Sequence, residues 1–275
     1  VRFLLGWALL ILGPVLFSQD FQSQVKIFWP ENLLVIVVET PLLPGQVLPI
    51  RRLQTENLVK ENLPSIVFSA VSPIIVDNEG TIAQYTLRKS ELYAYFSGLS
   101  GAVIQDFSRT SNDFSKLSVR YSLELTKLAA PFIRHDINVV ISPTLGYQNS
   151  ADFTGLVIYA RGELPVHGER TTSTLQPSLF PRLLDENTDV ILSREALSPE
   201  ILRKQSMVVY TQDLAEPPFR DRIGSRPLRI AAKALFGTLR TDIIILNSDA
   251  DMIRSVESGR QVLAQGRILI IVDPE

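Results

Sequence analysis

The chain has 275 residues, 45% of them hydrophobic, which is enough apolar material for one large core or two modest ones and excludes disorder as the main state. Its 27 basic and 29 acidic residues leave a formal charge of −2 with neither sign concentrated, so a polyanion such as nucleic acid has no basic track to follow. With no cysteine, disulfides, thiolate metal sites and cysteine nucleophiles are excluded, and the two histidines, His135 and His167, are too few for a multi-imidazole zinc site.

Residues 1–18 carry one positive charge at Arg2, an apolar body from Phe3 to Phe17 and a small residue ahead of Gln19, the pattern of a signal peptide. That body is short for a membrane span of roughly twenty residues, so export to the periplasm is expected, with membrane contact only through a transient or retained N-terminal segment. Residues 33–40 are a β-branched run closed by Pro41 and Pro44-Gly45, and read as the first strand. From Ile50 the period becomes helical. Arg52, Glu56 and Lys60 lie four apart as ion pairs, Leu53, Leu63, Ile66, Val67 and Ala70 share the apolar side, and Pro64 interrupts the helix or starts its second piece.

Residues 74–76 predict a short strand, and Thr81 and Ser90 can each cap a helix. In the second of these helices Tyr93, Phe96 and Leu99 fall three apart, as core-packing residues do. Leu117, Val119, Tyr121, Leu123 and Leu125 alternate with Ser118, Arg120, Ser122 and Glu124, which predicts a half-exposed antiparallel strand. A strand over 137–141 and a polar link over 144–152 follow. The sequence thus divides into a leader over 1–18, an N-terminal α+β domain over 19–150 and a C-terminal α/β domain over 151–275. The fold class expected is α/β (α+β), two mixed-sheet domains with helices packed on the sheets.

In the second half, 153–162 reads as a strand bounded by glycines. Residues 163–178, rich in Gly, Pro, Ser and Thr, read as a long loop of the kind that is functional or mobile. Residues 179–184 and 190–192 predict a hairpin, Ser198-Pro199 a helix start, 207–211 a strand, and 227–234 either a strand or a helix. Two runs apolar at nearly every position, 242–247 and 267–273, flank a helical segment ended by Gly266. They predict a strand–helix–strand unit buried on both faces at the centre of this half.

Candidate chemistry is sparse. Asp249 and Asp251 follow a buried strand, where an open sheet places ligand-binding groups, and two carboxylates can hold a divalent cation. The same residues can simply finish the start of the next helix, and the weight falls on that reading. His167, with Arg161, Glu163, Glu169 and Arg170 nearby, supplies residue types suited to acid–base work or anion binding, as ordinary solvated loop residues also do. No phosphate loop, dinucleotide fingerprint or nucleophile elbow occurs, and Ser23-Gln24-Val25-Lys26 is a chance tetrapeptide. No cofactor, metal or catalytic residue is expected. The ligand-binding candidates are Asp249, Asp251, His167 and Arg161.

The runs Thr154-Gly155-Leu156-Val157-Ile158-Tyr159-Ala160-Arg161-Gly162, Pro181-Arg182-Leu183-Leu184-Asp185-Glu186, Arg222-Ile223-Gly224-Ser225-Arg226-Pro227-Leu228 and Asp242-Ile243-Ile244-Ile245 with Asp249-Ala250 resemble a C-terminal module of spirochaete-type envelope proteins. The set is similar to the twenty-kilodalton outer-membrane lipoprotein family and the flagellar assembly protein T group. This resemblance implies a non-enzymatic periplasmic structural or assembly protein whose partners are other envelope or flagellar proteins. Tyr159 stands where that module usually carries Asp, and the segment from His167 to Thr174 lengthens the loop, which puts any ligand role of the strand acid in doubt. With no cysteine in the sequence, the lipid anchoring of that family is not expected here. The alternative is a periplasmic hydrolase or small-ligand-binding protein using Asp249, Asp251 and His167.

Overall fold

The computed structural model describes residues 21–45, 47–139, 152–255 and 257–274; the leader and nearly all of the interdomain link lie outside them. The first half is built on strands β1 (Gln22–Phe28) and β2 (Leu33–Pro41), helix α1 (Leu48–Val71), and the hairpin β3 (Ile75–Asp77) and β4 (Gly80–Thr81). Helices α2 (Ile82–Arg88) and α3 (Ser90–Ser97), strands β5 (Ile104–Thr110) and β6 (Lys116–Glu124) and the short helix α4 (Leu125–Ala129) complete it. Four strands form an antiparallel sheet in the order β1-β2-β6-β5.

The alternation in β6 is realised in full. Leu117, Val119, Tyr121 and Leu123 are buried and face Thr40, Val38, Ile36 and Leu34 of β2. Helix α1 lies over that face with Thr55, Val59, Leu63, Ile66, Val67 and Ala70, spaced in steps of three and four. Leu53, expected on this stripe, is 60% exposed, because it stands six positions before Val59 and so points away. Pro64 does not interrupt α1. The carbonyl its missing N–H would have met belongs to exposed Lys60, on the side of the helix open to solvent. Of the predicted ion-pair row, Glu56 and Lys60 are 3.7 Å apart, whereas Arg52 donates to the Ser108 carbonyl and Glu56 accepts from Gln105 of β5.

Three further expectations change. β1 precedes the strand taken as first; five of its seven residues are exposed and the other two only half-buried, so no burial pattern marked it. Thr81 caps α2 in a capping box with Gln84, but Ser90 is itself the first residue of α3, whose buried positions are Leu92 and Phe96 while Tyr93 is 55% exposed. Ile137 and Val139 are exposed and outside any strand, and the rest of the expected 137–141 strand lies outside the described residues.

The second half contains β7 (Leu156–Tyr159), β8 (Leu164–Pro165), β9 (Thr172–Ser173), β10 (Leu183–Leu184), β11 (Val190–Leu192), α5 (Pro199–Lys204) and β12 (Val209–Thr211). Then come α6 (Arg220–Ile223), β13 (Leu228–Ala231), β14 (Ala234–Phe236), β15 (Asp242–Ile244), α7 (Asn247–Ser255), α8 (Glu257–Ala264) and β16 (Ile268–Ile271). One sheet, β12-β16-β7-β13, is parallel throughout, and a mixed one runs β11-β10-β15-β14. The twin apolar strands β15 and β16 are both interior, as their composition requires, but in different sheets. Residues 163–178 are no open loop: β8 and β9 pair, Val166 bridges to Leu235, and Val166 and Leu175 are buried. Residues 228–231 and 234–236 resolve the undecided segment as two strands.

Two of the four family-like runs, 154–162 and 222–228, meet at the edge of the parallel sheet where β7 and β13 begin. Thr154 accepts the Arg226 N–H at 3.0 Å and donates to the Ile223 carbonyl at 2.9 Å, clamping α6 beneath β7. Gly155 allows that approach, since a Cβ there would stand 2.2 Å from the Ile223 carbonyl oxygen. Gly155→Ala is expected to lower stability by about 1–3 kcal/mol through forced backbone displacement, read as a lower urea midpoint at unchanged slope.

Both halves contribute to one continuous core. Leu179 and Phe180 donate backbone N–H groups to Ile75 and Val76 at 3.0 and 2.8 Å, extending the β3 hairpin across the junction. Trp29 meets Tyr210 edge-on at 4.9 Å, and Phe132 meets Phe180 at 6.3 Å.

Candidate functional site

The four residues singled out in the sequence do not converge. The His167 N–H donates to the Leu235 carbonyl at 2.8 Å, and its exposed ring lies 5.8 Å from Phe236, which pairs with Asp242 at the start of β15. Asp249 and Asp251 lie on α7, beyond the other end of that strand, so the length of β15 lies between the imidazole and the aspartates. Burial pushes the Asp249 carboxyl above its ordinary value, and its N–H is held by the Leu246 carbonyl.

Arg161 belongs to the other sheet, past the end of β7. It pairs with Asp273 at 3.5 Å, and Asp273 also accepts the Gly162 N–H at 2.7 Å. This pair spans the carboxyl ends of β7 and β16, the edge at which a parallel sheet takes a ligand. Tyr159 donates its hydroxyl to Glu216 at 3.3 Å, and Glu216 is itself gripped by Arg229 at 2.6 Å. Among the described residues no three His, Asp or Glu side chains gather as metal ligands, and no helix is long and apolar enough to cross a membrane.

What the fold assembles instead lies between the halves. A cavity of ≈590 Å³ is bounded by Asp77 and Glu79 from the β3–β4 turn and by Phe180, Arg182, Arg194 and Glu195 from the second half. Arg182 is fixed by two bonds to buried Asp242, at 2.8 and 2.6 Å, and Asp242 also accepts the Arg182 N–H. Desolvation raises the Asp242 carboxyl, against the pull of Arg182. Asp77 accepts the Tyr85 hydroxyl at 2.8 Å and the Glu79 N–H at 2.9 Å; burial and this carboxylate push the Tyr85 hydroxyl well up. Arg194 covers the Phe180 ring at 5.3 Å and holds Glu195 at 2.8 Å. Burial alone would raise the Glu195 carboxyl, but hydrogen bonds from Arg194 and Ser193 outweigh it and the net shift is downward.

Asp77 and Glu195 therefore both already hold hydrogen-bond donors. Arg194 also lies 3.9 Å from the Asp77 carboxylate, an ion pair that ties the second half to the first. Sequence reasoning missed it because Asp77 ends β3 while Arg182 and Arg194 follow more than a hundred residues later; the only local trace was Arg182 inside a family-like run.

A second cleft, of ≈560 Å³, runs between β1 with its following turn and the ends of β12 and β16. Lys26, Phe28, Trp29 and Glu31 form one side; Pro177, Asp213 and Asp273 stand on the other.

Fold and clefts together define a tandem protein of two mixed α/β halves, the first on an antiparallel sheet and the second on a parallel and a mixed one, joined through a shared core. Residues 20–131 match the family model described as Treponema pallidum Tp0624, N-terminal domain, and residues 155–274 match that described as Treponema pallidum Tp0624, second domain. The chain belongs to this spirochaete family, carrying its N-terminal and second domains in order. No curated protein matches it.

Proposed function

We propose that the chain is a non-enzymatic structural or assembly protein of the periplasm that works by protein–protein contact, with an envelope or flagellar component as partner. The observation that supports this is β1. Its seven residues pair with β2 in unbroken register, and no strand lies on its other side among the described residues. Such an edge is a template for an added strand. β5, at the opposite edge, is interrupted by a bulge at Asp106, which blunts it. The membership in a spirochaete family and the scattering of Asp249, Asp251, His167 and Arg161 agree with a contact role.

The test is retrieval of partners from envelope fractions with Gln24→Pro and Val25→Pro. Neighbouring residues of a strand direct their N–H groups to opposite edges, so one of the two variants keeps the β1–β2 ladder and the native Tm while blocking the open side. That variant is expected to lose the partners that the unaltered chain retains. Recovery of the same set would overturn the reading.

A further inference from the structure

Resting on that reading, we infer that the cleft beside β1 receives an extended, lysine- or arginine-bearing segment of the partner protein, which adds to β1 as a fifth strand. The first ground is geometric. The cleft, ≈560 Å³, begins along Lys26 and Phe28 at the C-terminal half of β1. Its far wall is the strap 174–177, which closes the former loop. That strap does not complete the sheet itself: Gln176 donates its N–H to the Arg240 carbonyl at 3.0 Å, and Pro177 has no N–H to give. An open edge thus faces a wall standing off from it, with room between for a chain.

The second ground is that the floor is already set. Trp29 is held edge-on against Tyr210, which is 1% exposed and receives the Ser178 N–H at 3.2 Å. The Val272 N–H donates to the Thr211 carbonyl at 2.8 Å where β12 and β16 end. An incoming segment would meet aromatic and proline surfaces that need little ordering, which lowers the entropic cost of binding.

Charge fixes the chemistry of that segment. Glu31, Asp213 and Asp273 rim the cleft against the single ammonium of Lys26, which lies 5.2 Å from the Phe28 ring. Asp273 is neutralised by Arg161. Asp213 accepts only the Ala215 N–H, at 2.8 Å, and no ion pair reaches Glu31 or Asp213 among the described residues. The rim is left with an excess of negative charge, complementary to a cationic strand whose alternate apolar residues face the aromatic floor.

The probe is a short fluorescent peptide alternating valine with lysine, titrated into the full chain. Controls are the same peptide with glutamate for lysine and one N-methylated at alternate amides, which cannot extend a ladder. Two double variants with the same change in net charge are compared, Glu31→Lys with Asp213→Lys at the cleft, and Glu200→Lys with Asp221→Lys on α5 and α6. The expected result is saturable binding of the valine–lysine peptide with slowed amide exchange over residues 22–28. Binding should weaken at least tenfold with the cleft variant, little with the distant one, and be lost on N-methylation. Equal binding of the glutamate peptide, equal weakening by both variants, or unchanged exchange over 22–28 would overturn the assignment. If the cleft variant still retrieves every envelope partner, the contact role stands and this cleft falls. If the peptide binds as expected but no envelope partner is retrieved by the unaltered chain, the cleft stands and the assembly role falls.

Discussion

Phe180→Ala is expected to cost about 3–5 kcal/mol and to lower the melting of both halves together. The side chain is 3% exposed and stands where the two halves meet. Its ring packs on Phe132, which in turn touches Tyr85 at 5.1 Å and Phe96 at 6.0 Å in the first half, while Arg194 covers its outer side. The neighbours are held by backbone bonds at Leu179 and Phe180, so they cannot collapse freely into the space a truncation leaves. Far-ultraviolet dichroism reports all secondary structure, whereas fluorescence from Trp29, edge-on to Tyr210, reports the junction. Coincident transitions at a lowered midpoint are the expected outcome. Two separated transitions, or a loss below about 1 kcal/mol, would show that the halves fold independently despite their shared core.

This junction is also what the sequence could least disclose. Local patterns report which face of an element is buried and where elements start and turn, and there the reading was good: the β6 alternation, the Thr81 helix cap, the Pro199 helix start and the Asp185 turn of the β10–β11 hairpin all stand as expected. Patterns do not report which element does the burying. β15 and β16 each declare an interior strand, yet nothing in either composition assigns them to separate sheets. β1 was missed for the opposite reason, since an edge strand with both faces largely in water has no period to find. The segment 163–178 was misread because its Gly, Pro and Thr residues signal turns, while what anchors it, Val166 against Leu235, comes from a strand some seventy residues away. The candidate acids and histidine were chosen for residue type alone, and type without placement brings Asp249, Asp251, His167 and Arg161 to three separate places.

Arg182→Ala is expected to have the second large effect, about 3 kcal/mol at neutral pH, the low end for breaking a buried ion pair because solvent reaches part of the guanidinium. Asp242 is 0% exposed and keeps only the residue-182 N–H and the Thr241 hydroxyl once the guanidinium is gone. Its carboxyl is already raised by desolvation with the arginine in place, so removing the arginine raises it further. An acid whose folded pKa exceeds its unfolded value near 3.9 holds its proton in the folded state over a window where the unfolded chain has released it. Stability therefore falls as pH rises through that window and returns as pH drops back through it. The deficit of Arg182→Ala relative to the unaltered chain should accordingly shrink on acidification from neutral pH, and adding Asp242→Asn should remove that pH dependence. Urea midpoints collected across the range decide it, and a deficit that stays level with pH would mean that Arg182 acts through packing of its stem and not through the charge of Asp242.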